Sequence, residues 1–405
     1  MIHDDIDVER EAPASVAAPP ERQPFWRGEW MRRQGAFLAI LLVIGGLTGV
    51  ILAGMGGPKS ASAPAGKPAV HATGQTAKAA PVPTEQASVP TQPGVRLAHI
   101  RAWGTVPGDS GVMLPALDQQ GNLWFGEMFT NKLARLDPQT GVITTWTAPN
   151  GRYNIMDTVV DAQGNVWYSE QAANYIGRFD PTTESFTTYP LGTSSAPQDL
   201  VFDADGKLWF TEFSSKGKIG RLDPATGAIT TWNVPDATPG TTPYPFSLAV
   251  LPSGQIWFGD LSGGAIGRLD PATGAIQNYH LSDPTAGVYA MAPDSQGRVW
   301  FTEYQNGKLG YVDTRTDKVT EIAVPQTLGN PAGMYAVVPG ADGTILFTCN
   351  GCNAIVAYAS ATGAFTFYQL PVQQSVPFGM VMDSHGDLWF TAGAQPSNYI
   401  GALVR

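Results

Sequence analysis

A three-residue motif, usually centred on tryptophan, occurs seven times in this chain, and its spacing restricts the fold more than any other feature. Its central residues are 43, 42, 48, 43, 46 and 43 positions apart. The copies are Leu123-Trp124-Phe125, Val166-Trp167-Tyr168, Leu208-Trp209-Phe210, Ile256-Trp257-Phe258, Val299-Trp300-Phe301, Ile345-Leu346-Phe347 and Leu388-Trp389-Phe390. A repeat of roughly 40–50 residues that contains strands and tight turns is the size of a four-stranded propeller blade. The sequence therefore predicts an all-β, seven-bladed β-propeller over residues 95–405.

Each repeat divides into four strands, which we name A to D from the axis outwards. In the third repeat, strand A ends within Asp199–Asp203, strand B covers Lys207–Glu212, strand C covers Ile219–Asp223, and strand D covers Ala228–Trp232. The turn between C and D opens with Asp-Pro-x-Thr, and this opening recurs in four repeats. Proline and glycine in such turns supply the backbone angles that a tight reversal needs.

The last repeat stops after its third strand, and a spare strand precedes the first repeat. This spare strand covers about Arg96–Trp103. An open ring would leave unpaired strand edges, which promote aggregation. We therefore predict that the spare strand completes blade seven and closes the ring.

The residues before the propeller divide into three segments. Residues 1–33 are polar and are predicted to form a disordered cytoplasmic tail. Residues 34–56 include Ala36–Met55, an uncharged apolar stretch that would span ~30 Å as a helix, about the thickness of a bilayer core. Residues 57–94 are rich in proline and alanine and are predicted to be an extended linker.

The charges around the apolar stretch predict its orientation. Four arginines precede it within residues 22–33, whereas two lysines follow it within residues 57–67. The positive-inside rule then places the N-terminus in the cytoplasm and the propeller outside, on a single-pass cell-membrane protein. A cleaved signal peptide is the alternative, with Ala61-Ser62-Ala63 as the cleavage site.

Charge and cysteine content exclude some classes of protein. The net charge of −10 argues against a nucleic-acid-binding surface, which needs clustered lysine and arginine. The two cysteines, Cys349 and Cys352, rule out a framework of several disulfides. Outside the cytoplasm we expect them to form a local disulfide, and a redox-active pair is the alternative.

Acidic residues follow the central motif position by three residues in five repeats. Four of the same repeats carry an arginine on strand C. Because strands B and C form a hairpin, we predict cross-strand ion pairs, with a ring of catalytic carboxylates as the alternative. The acids are Glu127, Glu170, Glu212, Asp260 and Glu303, and the arginines are Arg135, Arg178, Arg221 and Arg268.

Two pairs of segments resemble the repeat of the streptogramin B (virginiamycin B) lyase family. They are Leu208–Glu212 with Lys218–Arg221, and Val166–Glu170 with Tyr175–Arg178. The resemblance covers nearly all of 95–405 and implies a seven-bladed propeller. The reaction of the lyases themselves is a Mg²⁺-assisted elimination that opens the ester of a cyclic depsipeptide antibiotic, and this is the activity that the resemblance implies.

The resemblance implies catalytic residues on the axial face, the end of the ring where B–C loops and D–A links converge. The family carries a Glu-Pro-His-Gly segment at the start of the last strand A, a histidine at the start of an earlier one, and a glutamate in the last B–C loop. Here the segment reads Val376-Pro377-Phe378-Gly379, and the loop position is Gly393. No histidine of this chain falls at the axial face, so we expect the lyase catalytic residues to be lost. The histidines are His3, His71, His99, His280 and His385.

The positions that match the family histidine hold apolar, aromatic or amide side chains in the seven repeats. They are Met113, Met156, Gln198, Phe246, Tyr289, Tyr335 and Phe378. We predict that they line a ligand site, since aromatic and thioether groups favour apolar ligands. The alternative is that they only pack the inner strands together.

Two acidic residues, Asp157 and Asp199, lie one position further along adjacent A strands. Two carboxylates at one mouth could bind a divalent cation such as Mg²⁺ or Ca²⁺. Capped turns or solvated rims would explain them equally well.

These observations favour a membrane-tethered recognition module. Its ligand would be a small molecule, peptide or glycan at the axial face. One alternative is a metal-dependent lyase or lactone hydrolase that uses Asp157, Asp199 and a metal. Another is a structural role in envelope assembly without a small ligand.

Overall fold

The computed structural model describes residues 66–79, 93–97, 100–104, 111–149, 151, 154–214, 216–237, 240–372, 374–393 and 398–404. The predicted tail 1–33 and membrane helix 34–56 lie outside these residues. Within the described ranges, no helix is long and apolar enough to span a bilayer.

Seven sheets of four or five strands make up the described chain. The strands are β1 Lys67–His71, β2 Gln75–Lys78, β3 Val95–Leu97, β4 Ile100–Gly104, β5 Ala116–Leu117, β6 Leu123–Glu127, β7 Lys132–Asp137, β8 Val142–Thr147, β9 Ile155–Val160, β10 Val166–Glu170, β11 Tyr175–Asp180, β12 Ser185–Pro190, β13 Pro197–Phe202, β14 Leu208–Glu212, β15 Lys218–Leu222, β16 Ile229–Asn233, β17 Pro245–Val250, β18 Ile256–Asp260, β19 Ala265–Leu269, β20 Ile276–His280, β21 Val288–Pro293, β22 Arg298–Glu303, β23 Lys308–Asp313, β24 Lys318–Ala323, β25 Val337–Pro339, β26 Thr344–Cys349, β27 Ala354–Ala359, β28 Ala364–Gln369, β29 Val376–Met382, β30 Leu388–Gly393 and β31 Tyr399–Leu403. Two short 3-10 turns cover Gln171–Ala173 and Asn350–Cys352.

Each sheet is one blade, and its strands follow the A-to-D order predicted from the repeat. Blades one to six contain β5–β8, β9–β12, β13–β16, β17–β20, β21–β24 and β25–β28, and blade seven contains β29–β31 with β4. The prediction of a seven-bladed all-β propeller is confirmed.

The N-terminal strand β4 closes the ring. It pairs antiparallel with β31 over five residues, from Ile100 opposite Leu403 to Gly104 opposite Tyr399. The ring of Trp103 on β4 also stacks on Trp389, with ring centroids 5.2 Å apart. The predicted closure is confirmed, but the closing strand is shorter than Arg96–Trp103. The reason is that Val95–Leu97 forms a separate strand, β3, which pairs parallel with β28 on the outer edge of blade six.

The segment predicted as a linker contains two strands. β1 pairs antiparallel with β12 as a fifth strand on blade two, and β2 pairs antiparallel with β8 on blade one. Most described side chains of these strands are exposed, so backbone hydrogen bonds to the blade edges hold them. The composition of the segment does not predict this pairing. Polar residues that pair with a blade edge through backbone hydrogen bonds produce no hydrophobic periodicity in the sequence.

A buried indole hydrogen bond recurs in five blades. In blade three the Trp209 Nε1–H donates to Asp203 Oδ2 at 2.7 Å, while Oδ1 accepts backbone N–H groups of Asp205 and Lys207 in the A–B turn. One carboxylate thus satisfies the indole and orders the turn. The same indole–carboxylate bond joins Trp124 to Asp118, Trp167 to Asp161, Trp300 to Asp294 and Trp389 to Asp383.

The predicted ion pairs between strand B acids and strand C arginines are wrong. Arg221 lies opposite Trp209, and its guanidinium carbon is 5.5 Å from that ring and 5.7 Å from the ring of Trp232. Glu212 instead lies opposite Lys218, whose Nζ is 3.1 Å away. Successive strand residues point to opposite faces, and Glu212 is three positions from Trp209, so the acid and the arginine lie on opposite faces of the hairpin. Arginine over the strand B tryptophan recurs at Arg135, Arg178 and Arg268.

The glycine of the strand C motif accommodates an aromatic ring of strand B. A Cβ on Gly220 would lie 2.1 Å from Cζ of Phe210. That ring packs between blades two and three, in a cluster that also contains Trp167 and Leu200. The repeat motif therefore describes contacts between blades as well as within them.

We expect ring closure to depend on β4 but not on the strands before it. Deleting residues 1–94 removes β1 and β2 and exposes the outer edges of blades one and two. Blades three to five have no fifth strand in the described structure, so this variant should remain a folded monomer. Deleting residues 1–104 also removes the backbone pairing of β31 and the stacking of Trp103 on Trp389. An aromatic pair of this kind is worth about 0.5–1.5 kcal/mol beyond its buried area.

Thermal unfolding and size-exclusion chromatography of the two truncations test this expectation. The longer truncation should melt several degrees lower and aggregate, since it exposes a strand edge. Equal melting temperatures for the two variants would contradict the closing role of β4.

Candidate functional site

A β-bulge near the start of strand A positions the candidate residues at the axial face. In blade three Pro197 lies opposite Glu212, but Leu200 lies opposite Phe210, so strand A contains one extra residue. The bulge contains Gln198 and Asp199. Bulges redirect side chains and release backbone groups from the sheet ladder. The same register shift occurs in blades two, five and seven.

Hydroxyl groups on strand B bind the backbone N–H groups that the bulges release. Thr211 Oγ1 accepts from the Asp199 N–H at 3.1 Å and donates to the Phe246 carbonyl of the next blade at 3.3 Å. One hydroxyl therefore links two neighbouring A strands. Hydroxyls of Ser169, Thr302 and Thr391 accept bulge N–H groups in the same way. In blade six, Thr348 accepts the N–H groups of Tyr335 and Ala336, which precede strand A.

Four predicted ligand-binding residues of blades four to seven form one continuous aromatic arc. Ring centroids are 4.3 Å apart for Phe246 and Tyr289, 4.9 Å for Tyr289 and Tyr335, and 4.6 Å for Tyr335 and Phe378. Each of these side chains is at most 6% exposed. The rings therefore pack on one another and form the floor of the axial mouth. Their role in ligand binding stays a prediction.

The predicted residues of blades one to three are buried and do not belong to the described arc. Met113 and Met156 have no exposed surface, and Gln198 is 1% exposed. The Gln198 Oε1 accepts a hydrogen bond from Gln171 Nε2 at 2.8 Å. The role of these three side chains in ligand binding also stays a prediction.

Asp157 and Asp199 join three consecutive blades. Asp157 accepts the N–H groups of Thr158 at 2.7 Å and of Leu200 in blade three at 2.8 Å. Asp199 accepts the N–H of Leu248 in blade four at 2.6 Å. Asp157 is buried and Asp199 is partly exposed. The two carboxyls are also close enough to affect each other's ionisation.

Burial and mutual repulsion alter the ionisation of this acid pair. Burial raises the pKa of Asp157 well above its usual range, and the charge of Asp199 raises it further. Burial also raises the pKa of Asp199 to about 6. Two carboxyls in contact resist losing both protons, so the pair favours a state that keeps one proton.

Two hydroxyls near the acid pair have no hydrogen-bond partner among the described residues. They are Tyr289 Oη and Ser247 Oγ, on side chains that are 5% and 3% exposed. Burial raises the pKa of Tyr289 well above its usual range, and the charges of Tyr304 and Asp199 raise it further. The Tyr289 hydroxyl therefore lies within electrostatic reach of Asp199.

The residues at the lyase positions do not fit a Mg²⁺ ion. Val376, Phe378 and Gly393 supply no side-chain ligand, whereas Mg²⁺ prefers carboxylate and water oxygens in octahedral geometry. Within the described part of the chain, no three His, Cys, Asp or Glu side chains form a group that could hold a metal. Cation binding by Asp157 and Asp199 stays a prediction.

The acids that end the B strands are buried. Glu127, Glu170, Glu212, Asp260 and Glu303 are each at most 2% exposed. Burial raises the pKa of Glu303 to about 8, and the nearby Glu321 raises it while Lys308 lowers it. Because solvent scarcely reaches these side chains, they are poorly placed to act on a substrate.

A disulfide joins Cys349 and Cys352 in the B–C loop of blade six, with the Cα atoms 5.2 Å apart. The loop also supplies Asn350. Burial raises the pKa of Tyr335 in the aromatic arc well above its usual range, and the Asn350 side chain interacts with Tyr335 and lowers this pKa slightly. The disulfide therefore restrains a loop that supports the arc.

Sequence reasoning missed three aromatic residues that form the rim of the mouth. Tyr304 lies 5.5 Å from both Tyr289 and Tyr335 between centroids, and Phe213 lies 5.4 Å from Phe246 and 5.1 Å from Tyr244. All three are partly exposed. Phe213 and Tyr304 lie four residues after the motif tryptophan. The family resemblance points to this position only in blade seven, at Gly393.

A model of the virginiamycin B lyase family matches residues 97–337. The match covers more than half of the chain. It ends before Val376–Gly379, the segment that replaces the family's Glu-Pro-His-Gly. No curated protein matches the sequence significantly.

Solved structures of such lyases have the same architecture. Virginiamycin B lyase from Staphylococcus aureus is 25% identical, with a TM-score of 0.66 over 76% of this chain and 99% of that one. A streptogramin B lyase is also 25% identical, with a TM-score of 0.67 over 76% and 98% of the two chains. YCF48 bound to D1 peptide, at 13% identity and a TM-score of 0.59 over 78% and 98%, is similar in fold alone.

The raised pKa values predict that stability falls as pH increases. The folded state still holds protons that the unfolded chain releases near pH ~4. The stabilisation that these retained protons give is therefore present at low pH and is lost as pH rises through about 6. We expect urea unfolding to give a lower free energy at pH ~8 than at pH ~5, by the order of 1–3 kcal/mol. In Asp199→Asn the difference should shrink.

Asp205→Asn, in an exposed A–B turn, is the matched control and should behave as wild type. An unchanged pH dependence in Asp199→Asn would show that the acid pair does not cause it.

Proposed function

The chain belongs to the virginiamycin B lyase family, and on that premise we propose that it is a membrane-anchored, extracytoplasmic propeller that binds a ligand at its axial face without the lyase reaction. The ligand would be a small molecule, a peptide or a glycan. The observation that carries the proposal is the replacement of the family's catalytic side chains by an aromatic floor. Phe378 stands where the family has its histidine and belongs to the arc with Tyr289 and Tyr335.

Aromatic rings support binding without chemistry. They bury large apolar areas and stack on ligand rings or sugars, and neither interaction needs a proton transfer. The rim residues Phe213, Tyr244 and Tyr304 are partly exposed above the buried floor. They give a ligand a surface to approach without prior rearrangement of the floor.

Membrane anchoring is supported by the sequence before the propeller. Ala36–Met55 is apolar and uncharged, and arginines concentrate on its N-terminal side. This pattern favours a cytoplasmic N-terminus and an extracytoplasmic propeller.

The acid pair favours one alternative function. Two carboxyls that share a proton can act as an acid and a base, as in other paired-carboxylate enzymes. A lyase or lactone hydrolase would then use Asp157 and Asp199, with a metal. Against this, backbone N–H groups already occupy much of the pair's acceptor capacity.

We expect the purified ectodomain, supplied with Mg²⁺, to leave a streptogramin B antibiotic intact. Loss of a general base alone lowers rates by ~10²–10⁴, and here the metal ligands are missing as well. Mass spectrometry of the antibiotic would show no linear product above background, while the Staphylococcus aureus lyase serves as the positive control. Linear product at enzymatic rates, abolished by Asp199→Asn, would establish the alternative.

Binding is tested with arrays of peptides and glycans and with the same antibiotic. Any ligand of the axial face should bind more weakly to Tyr335→Leu and Phe378→Leu. His280→Ala, on the exposed end of β20, should bind as wild type. Ligands that bind all three variants equally would place recognition elsewhere on the propeller.

Anchoring predicts a specific pattern of protease release. Protease added to intact cells should cut in residues 57–66, before β1, and release a propeller fragment. Full-length protein should otherwise stay with the membrane. Mature protein free in the medium, beginning near Pro64, would instead indicate a cleaved signal peptide.

A further inference from the structure

We propose that the axial mouth recognises an organic ammonium group, held over the aromatic rim and floor beside the carboxyls of Asp157 and Asp199. This inference rests on the proposed ligand-binding function and names the chemical class of the ligand. Three observations carry it.

The first observation is the density of aromatic faces. Tyr289 lies within 4.3–6.0 Å, between ring centroids, of four other rings. Ring faces carry negative electrostatic potential and attract cations, and aromatic cages are a recurrent solution for quaternary ammonium ligands. Tyr304 is the ring of this group that reaches solvent most. The four rings around Tyr289 are Phe246, Tyr304, Tyr335 and Phe378.

The second observation is an unbalanced negative charge beside the rings. Asp199 is partly exposed, and no innermost strand carries lysine or arginine. The Tyr289 hydroxyl is buried and has no hydrogen-bond partner among the described residues, and the charge of Asp199 contributes to its raised pKa. A mouth with aromatic walls, one carboxylate charge and no nearby cation on these strands is complementary to a positive ligand.

The third observation distinguishes an organic cation from a metal ion. The N–H groups of Thr158, Leu200 and Leu248 already bind the carboxyl oxygens. Ca²⁺ and Mg²⁺ need about six or more oxygen ligands, and among the described residues no third acidic or other ligating side chain joins the two carboxyls in a group that could hold a metal. An alkylated ammonium group is weakly hydrated and needs surrounding faces and charge rather than coordination bonds.

Choline and its neutral isostere 3,3-dimethylbutan-1-ol provide a matched pair of probes, because they share shape and differ in charge. Isothermal titration of the ectodomain at constant ionic strength should show saturable choline binding. The neutral alcohol should bind about tenfold more weakly or worse, the range expected for a desolvated cation–π contact.

Four variants locate the site. Asp199→Asn removes the charge, and Tyr304→Leu removes a rim ring, so each should weaken choline binding about tenfold. Tyr304→Phe retains the ring and should bind nearly as wild type, and Asp205→Asn should be unaffected. Thermal melting of each variant checks that it is folded.

The outcomes separate this inference from the function on which it rests. Two results would overturn the ammonium site. One is equal affinity for the two probes, and the other is an affinity for choline that Asp199→Asn leaves unchanged. Mg²⁺ or Ca²⁺ binding that displaces choline through Asp199 would replace it with a metal site. If choline fails but a peptide or glycan binds through Tyr335 and Phe378, the inference is wrong and the proposed function stands. If neither class binds, both are wrong.

Discussion

The pairing of β4 with β31 is the contact on which the ring depends. Blade seven has only three strands from the C-terminal end of the chain, and the N-terminal strand supplies the fourth. This pairing satisfies the backbone groups of β31 and places Trp103 on Trp389. The same strand thus completes a hydrogen-bond ladder and an aromatic pair, which blades one to four build from their own strands B and D. Closure joins the first and last parts of the propeller and leaves blade seven with four strands.

Once the ring is closed, buried hydroxyls join blade one to two, two to three, three to four and seven to one. The bulge in strand A releases a backbone N–H, and a strand B hydroxyl binds it and reaches the next blade. Blade one has Gly126 at the hydroxyl position, and there Thr158 of blade two reaches back to the Leu114 carbonyl instead. Where a hydroxyl joins two blades, either blade can therefore provide it. This tolerance lets the bulge side chains at the axis change without loss of the ring.

The axial face illustrates that freedom. In blades two and three the position after the bulge residue is Asp, and each carboxyl binds a backbone N–H of the following blade. In blades four to seven the equivalent position carries an aromatic ring, and the rings of neighbouring blades contact one another. The mouth is therefore polar on one side and aromatic on the other. Blade six departs furthest from the repeat, because Gly340 and Leu346 replace the aspartate and tryptophan, and a disulfide follows its strand B.

The sequence by itself determined the number of blades, the strand order within them and the identity of the closing strand. These follow from local patterns. The motif recurs at blade spacing, a spare strand precedes the first repeat, and the last repeat lacks its fourth strand. This pattern leaves few other ways to bury the apolar faces of the strands. It also identified the seven equivalent positions at the axial face. Only the tertiary structure decided which groups meet across those positions. The pairing of Arg221 with Trp209 rather than Glu212 depends on hairpin register, and the added strands β1 and β2 depend on open blade edges. Two further features depend on how neighbouring blades approach the axis, namely the contact of Asp157 with Asp199 and the continuous aromatic arc. Long-range packing sets that approach, and no local sequence pattern contains it.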